Sequence, residues 1–403
     1  MGEHPLPDNS KKWTGVILAG GAGTRLFPLT AEIPKPLVRV CGKPMLDYAI
    51  DHLRYAGIKD IIIVVRHLGE KIRDHMDNDW LNNPARLGDL NIQVPNVDSK
   101  DTADALRKVD DLIPEGSNIL VSMGDIVTNL HLKQFLDYHV QKNGFATMSM
   151  KTIDEPTQYG VVVLDSDKRI HTFLEKPNSE ELYVSSIIQR SDLYQHTNLI
   201  NTGIYAFNYE ILEILRNENQ LMDFGKHVFR FLLENKYPIY GFVETYYWMD
   251  VGQARPYLWA NWDLLRKYGW PVTPRGQEHD GGLWYEAYPT CGEGCILEKP
   301  AFLGNNLKLG KHVTIQALSV LDDNCVLGDN CVIDKSVIWE NVKIGANCKI
   351  TESIVCTGST IMDNVQLTEC VVGPGCKIAA NSVRKYEKIV RGENDSGKKV
   401  KKT

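Results

Sequence analysis

The sequence has no run of about 18 apolar residues, the length a membrane-spanning helix needs, and its opening "MGEHPLPDNSKKW" has no apolar leader core. Membrane spanning and export are therefore not expected, and a cytoplasmic location is. Leu6 stands where an N-terminal acylation motif wants Ser or Thr. An excess of positive charge is missing too: 45 Lys and Arg face 51 Asp and Glu, a net charge of −6. Neither nucleic acid nor an anionic membrane is thus an expected partner, and any polyphosphate binding must be local. Cysteine is nearly absent from the first 290 residues, where Cys41 stands alone, and the total of nine is odd. This excludes a disulfide framework and favours reduced thiols. The pair in "CGEGC", Cys291 to Cys295, has no second pair to complete a zinc site. Two glycine signatures are also lacking. The dinucleotide fingerprint fails because Leu26 occupies its third glycine position after Gly21 and Gly23. The P-loop fails because no Lys-Ser or Lys-Thr pair follows these glycines.

What is present is a 403-residue chain, 43% hydrophobic and 24% charged, enough for two domains with sizeable cores. The stretch "LAGGAGTRLFPLTAEIPKPL" leaves the apolar run "GVILAG" and sets Arg25 and Lys35 on either side of Pro28 and Pro34. Glycines after a strand bring backbone N–H groups close to an anion, the prolines stiffen the loop, and two fixed cations suit a polyphosphate. From Gly15 to about Tyr268, apolar runs such as "IIIVV", "NILVSMGD", "FATMSMKT", "GVVVLD" and "NTGIYAF" alternate with helical patterns such as "KPMLDYAIDHLRYAG". The pattern predicts an α/β domain, a Rossmann-like mixed, mostly parallel sheet with helices on both faces, whose ligands gather at the carboxyl ends of strands. Both the glycine loop and "MGD" lie at such ends.

A second regime starts near Pro300. Aliphatic residues recur every sixth position at Leu303, Leu309, Ile315, Leu321, Leu327 and Ile333, with mostly small residues four positions after each. The phase slips by one near Trp339 and resumes through Ile344 and Ile350, then again from Ile361 through Leu367. This period predicts a left-handed parallel β-helix of hexapeptide repeats. Cys325, Cys331, Cys348 and Cys376 fall on its small inward position, where a free thiol packs as a compact hydrophobe. The expected division is an N-terminal tail over 1–12, the α/β domain over 13–268, a linker over 269–300, the coil over 301–390 and a disordered charged tail over 391–403.

Four stretches then form a set: the glycine loop, Gly124-Asp125, "FLEKP" from Phe173 to Pro177, and "YWMDVG" from Tyr247 to Gly252. With "QYGVV" and "NTGIYAF" between them, they resemble the sugar-1-phosphate nucleotidyltransferases over residues 13 to about 268, and the coil resembles the C-terminal domain many members carry. The resemblance implies attack by a hexose-1-phosphate oxygen on the α-phosphorus of a nucleoside triphosphate, with release of pyrophosphate. It implies that Gly20, Gly21, Gly23 and Thr24 wrap the nucleotide, with Leu18 and Gly124 also on the substrate side. Arg25 and Lys35 would hold the phosphates, and Asp125 and Asp250 would share a catalytic Mg²⁺. Glu175 would read a hexose hydroxyl, Lys176 would contact the sugar phosphate, and Gly160 and Asn201 would line the sugar pocket. Physics is consistent with these roles, because an anionic oxygen attacking a phosphate needs cations to screen both partners.

One departure stands out: "DTADAL", Asp101 to Leu106, carries aspartates where many members have the glycines of a base-contacting "GTAGAL". With the stretch "KPLVRVCGKPMLDY" followed by a coil, the chain resembles the mannose-1-phosphate guanylyltransferases more than other branches, which implies mannose-1-phosphate with GTP as the substrate pair. Glucose-1-phosphate with UTP, dTTP or ATP is the alternative, as is a non-catalytic relative that binds sugar nucleotide. An acyl-transferring coil is disfavoured, since its only histidine is His312 and it has no long insertion. A flat-sided coil also predicts a homo-oligomer.

Overall fold

Runs such as Asp60–Val64 and Asn118–Met123 are too uniformly aliphatic to keep one face in water, and the fold buries them in the middle of a sheet. The structure, a computed structural model, describes residues 12–154, 156–178 and 198–392 and the backbone strand Leu193–Tyr194. The expected N-terminal tail up to residue 11 and the charged tail from residue 393 lie outside the described residues. Two compact units form. The first holds the chain to residue 21, 49–124 and 130–248, and the second holds 22–48, 125–129 and the chain from 249.

The first unit is built on a mixed sheet. Trp13–Leu18 lies parallel between Asp60–Val64 and Asn118–Met123, and Asp60–Val64 pairs in parallel with Asn91–Gln93. Beyond Asn118–Met123 the pairing turns antiparallel through Leu199–Phe207, which also pairs with Ala146–Thr152 and Gly160–Asp165. Ile170–Glu175 closes that side on Gly160–Asp165, so that Glu175 lies opposite Gly160. The chain moves outward from the first strand through Asp60–Val64 and Asn91–Gln93 and then returns to its other side with Asn118–Met123, so its carboxyl end is a topological switch point. The glycine loop begins there. The helix Leu132–Lys142 buries Leu132, Phe135, Leu136 and His139, one stripe at helical spacing, and Asn143 ends it in the left-handed conformation.

The second unit contains the coil, whose strands stack in three sheets of parallel ladders. Leu303, Leu321, Ile338, Val355 and Val372 are each fully buried along one ladder, and each stabilises the coil by about 1.5–3 kcal/mol relative to an exposed side chain. The cysteines at 325, 331, 348 and 376 are buried in the same interior. At one corner, Asn330, Asn347, Asn364 and Asn381 take positive φ and hand an amide hydrogen bond from each to the next, at 3.1, 3.1 and 3.0 Å. Asparagine tolerates that conformation better than most residues, and stacked amides satisfy one another.

The phase slip is not a single event. Leu303 pairs with Leu321, but Leu321 pairs with Ile338 and Ile338 with Val355, so each turn after Leu321 is one residue shorter than the turns before it. The missing residue is lost at the same corner each time, where Lys335, Glu352, Glu369 and Tyr386 take positive φ. The coil also begins before the aliphatic pattern does. Leu283–Tyr285, Thr290–Cys291 and Ile296–Leu297 already pair with its second turn. An end turn has a neighbour on one side only, so its inward positions accept Tyr285, Cys291 and Cys295 and leave them partly buried.

Candidate active site

Gly23 opens a short 3-10 turn, Thr24–Leu26, from a left-handed conformation with φ 62°. A Cβ there would lie 3.0 Å from both Lys35 Cβ and Thr30 Cγ2, so glycine is needed twice over. Thr30 Oγ1 donates to the Gly23 carbonyl at 2.9 Å and ties the loop back on itself. Pro34 and Pro36 then frame a second 3-10 turn, Lys35–Leu37, which fixes the backbone from which Lys35 projects.

Asp125 follows the buried strand Asn118–Met123 and Gly124, and Ile126–Thr128 pairs with Trp248–Asp250 in a two-stranded sheet. That pairing brings together two acids far apart in the chain. Lys35 Nζ donates to Asp125 Oδ2 at 2.6 Å and to Asp250 Oδ1 at 3.1 Å. The lysine is 7% exposed, whereas the carboxylate side chains are 32% and 24% exposed and open to a ligand. Burial works against the Lys35 charge, but the two carboxylates outweigh it and raise its pKa above 10.5. Arg25 belongs to the same cluster, since a Cβ on Gly252 would lie 3.4 Å from both Arg25 Nη2 and Asp250 Oδ2. Two carboxylates converging on one cation are hard oxygen donors of the kind Mg²⁺ accepts. Among the described residues no group of three or more His, Cys, Asp or Glu is arranged to hold a metal. Two carboxylates alone suit an ion that completes its shell with phosphate oxygens and water.

Within the first unit a second cluster forms around Glu175. Its carboxylate lies against glycine backbone on two sides: a Cβ would meet Glu175 Oε2 at 3.1 Å from Gly160 and at 2.6 Å from Gly225. Burial raises the pKa of Glu175, and the Asp223 and Asp101 carboxylates add to this while Lys176 and Lys226 oppose it. Lys176 Nζ is 3.8 Å from Glu175 Oε1. Asn201 Nδ2 donates to the buried Tyr205 hydroxyl at 2.7 Å, and Asn201 Oδ1 accepts from Gly203 N at 2.9 Å. Tyr205, whose pKa burial raises, feels the charges of Asp223 and Glu175. Leu18 accepts from Gly124 N at 3.0 Å where the first strand ends. A Cβ on Gly20 would press on Arg66 Cβ at 3.1 Å, whereas one on Gly21 would have open space.

A sequence profile described as Nucleotidyl transferase matches residues 14–267. The chain belongs to that family. Residues 282–383 match a second profile, described as EIF2B subunit epsilon LbH domain. The chain is 28% identical over 341 residues to a UTP--glucose-1-phosphate uridylyltransferase of Synechocystis sp., covering 81% of this chain and 82% of the relative. It is 27% identical over 333 residues to mannose-1-phosphate guanylyltransferase 1 of Arabidopsis thaliana, covering 80% and 85%. With the mannose-1-phosphate guanylyltransferase catalytic subunit beta of Drosophila pseudoobscura pseudoobscura the identity is 32% over 286 residues, covering 70% and 71%. The enzyme class read from the four motifs is that of the family, and the hexapeptide coil is that of the second profile. No helix among the described residues is long and apolar enough to cross a membrane.

The aspartates of "DTADAL" separate into two roles in this nucleotidyltransferase. Asp104 is buried and structural: it accepts from Lys100 N at 2.8 Å and pairs with Arg107 at 2.6 Å. Asp101 caps the helix Thr102–Arg107, accepting from Thr102 N at 2.9 Å. Burial and the neighbouring Asp223 raise its pKa. Thr102 Oγ1 donates to Asp223 Oδ2 at 3.0 Å and accepts from Phe224 N at 3.0 Å. Sequence reasoning did not single out Thr102, Asp223, Gly225 or Gly252. Gly252 could have been found from its place two residues after Asp250, but Asp223 and Gly225 sit in no motif that the other stretches would flag.

Proposed function

We propose that the chain transfers a nucleotidyl group to a hexose-1-phosphate, with mannose-1-phosphate and GTP as the first substrate pair. Glucose-1-phosphate with UTP, dTTP or ATP is the second. The observation that carries this reading is the Lys35 ammonium held between Asp125 and Asp250, with the Arg25 guanidinium beside Asp250. Relatives named for both substrate pairs support it, mannose and GTP more often.

In the reaction an oxygen of the sugar phosphate forms a bond to the α-phosphorus, the bond from that phosphorus to the β-phosphate oxygen breaks, and pyrophosphate leaves. Lys35 and Arg25 offset the charge on the reacting phosphates, and they are already in place, so little reorganisation is needed. Gly20, Gly21, Gly23 and Thr24, with Leu18 and Gly124, let the nucleotide approach the backbone. Glu175 and Asn201 orient hexose hydroxyls next to Gly160, and Lys176 offsets the sugar phosphate. Asp125 and Asp250 would hold Mg²⁺, which supplies a divalent charge on the phosphate oxygens when bound. Nine free thiols fit a reducing compartment, and the coil's stacked faces support a cytoplasmic homo-oligomer.

The test is pyrophosphate release with Mg²⁺ from each common nucleoside triphosphate against glucose-, mannose- and N-acetylglucosamine-1-phosphate. One strongly preferred pair is expected. Tight binding of a sugar nucleotide with no release from any pair would establish the non-catalytic alternative instead.

A further inference from the structure

Gly225 lies in the short helical turn Phe224–Val228 and is buried, with no positive φ to require glycine. Alanine is the better residue for such a turn. What glycine provides there is space: a Cβ would come within 2.6 Å of Glu175 Oε2 and 3.4 Å of Asp223 Oδ1. The turn itself is held firmly. Asp223 Oδ1 accepts from Lys226 N at 2.7 Å, Thr102 fastens both Asp223 and Phe224, and Met222 O accepts from Ala103 N and Asp104 N at 2.8 and 3.0 Å. The backbone at 225 is thus a fixed wall, and the carboxylate opposite it is the movable part.

We propose that Gly225 is a positioning residue for sugar recognition: with Gly160 it forms a notch that seats the Glu175 carboxylate in the direction that accepts a hexose hydroxyl. The inference rests on the reading of Glu175 as the hexose reader. Gly160 lies opposite Glu175 in the strand ladder, and the Gly225 turn bounds the same carboxylate oxygen from outside the sheet. The nearest atoms to a methyl group at 225 are the carboxyl group at the far end of the flexible Glu175 side chain and a neighbouring Asp223 carboxylate oxygen. It therefore turns Glu175 away at little cost to the fold, and the loss falls on the sugar phosphate rather than on the nucleotide.

The experiment uses the full chain and measures pyrophosphate release with each substrate varied in turn, for Gly225→Ala, Glu175→Ala and the double variant, with melting curves for all. Gly225→Ala is expected to raise the KM for hexose-1-phosphate about tenfold, equivalent to about 1.4 kcal/mol. The KM for the nucleotide stays within about twofold. In the Glu175→Ala background the same replacement has no further effect, because its target is gone. An unchanged sugar-phosphate KM in Gly225→Ala, or an equal effect in both backgrounds, overturns the inference and leaves the role of Glu175 intact. An unchanged sugar-phosphate KM in Glu175→Ala removes the hexose assignment itself and the inference with it. If Gly225→Ala melts lower, the double variant regains the wild-type melting temperature when the Glu175 contact is the cause, and failure to regain it counts against the notch.

Discussion

Lys35 is a buried cation whose two partners each keep a side open to solvent, and that asymmetry decides what substitutions do. Asp125→Asn and Asp250→Asn retain shape and lose charge, so each should lower kcat by at least about 100-fold while melting within a few degrees of wild type. Steady-state rates beside melting curves check both halves of that statement. Lys35→Met differs, because it leaves two carboxylates facing each other. Activity should fall and the fold should lose about 1–3 kcal/mol, read from denaturant unfolding. The folded pKa of Lys35 lies above its ordinary 10.5, so the pair's contribution is full below pH 10.5 and is lost only as pH rises through the folded value. An alkaline loss of activity below pH 10 therefore has another source. Asp125 and Asp250 were legible in the sequence because each sits at or just past a strand end in a specific motif. Asp223 and Gly225 were not, since their surroundings come from a distant helix end and a neighbouring strand.

The helix Ala254–Leu265 docks on the shortened corner of the coil. Trp262 Nε1 donates to the Lys335 carbonyl at 3.2 Å, and Arg255 pairs with Glu352 at 2.8 Å and Glu369 at 3.4 Å. These three acceptors stand one above another on successive corners with positive φ. Deeper in, Trp339 Nε1 donates to the fully buried Tyr257 hydroxyl at 2.8 Å, and Tyr257 donates to the Arg39 carbonyl at 2.7 Å. Trp339→Phe should therefore cost about 1–3 kcal/mol, a buried hydrogen bond left unmade. Arg255→Ala, from a half-exposed ion pair, should cost only about 0.2–1 kcal/mol. Urea titrations of the two variants side by side check the order; a larger loss for Arg255→Ala would contradict the docking described.

Within the second unit, the glycine loop and the segment after it pack on the coil, where a Cβ on Gly373 would lie 3.2 Å from Pro28 Cβ. Gly42 faces Phe302 so closely that a Cβ would lie 2.2 Å from the ring, Arg39 lies 3.5 Å from Glu340, and Arg275 pairs with Asp323. A fragment of residues 13–268 should thus fail to release pyrophosphate and should expose its loop, although the motifs all survive. A folded, active fragment, by circular dichroism and assay, would refute this. Beside these pairs Asp322 is 1% exposed with an unpartnered Oδ1; burial pushes its pKa up to about 7, against the pull of Arg39 and Arg275 and with Glu340 and Asp323 adding to it. Its folded pKa is raised above its ordinary 3.8, so its contribution is full below that value and is lost as pH rises through about 7. Asp322→Asn should remove on the order of 2 kcal/mol of stability loss between pH 5 and pH 7.5, seen as a flatter melting profile. The sequence by itself determined the buried strands and the repeating coil interior, and it marked Asp125 and Asp250 as candidates, because each is written in neighbouring residues. Only the tertiary structure decided that Lys35, Asp125 and Asp250 meet, that every later coil turn drops a residue at one corner, and that Glu175 rests in a notch of two glycines. Those depend on strand order and on which distant backbone comes near, quantities that no local pattern encodes.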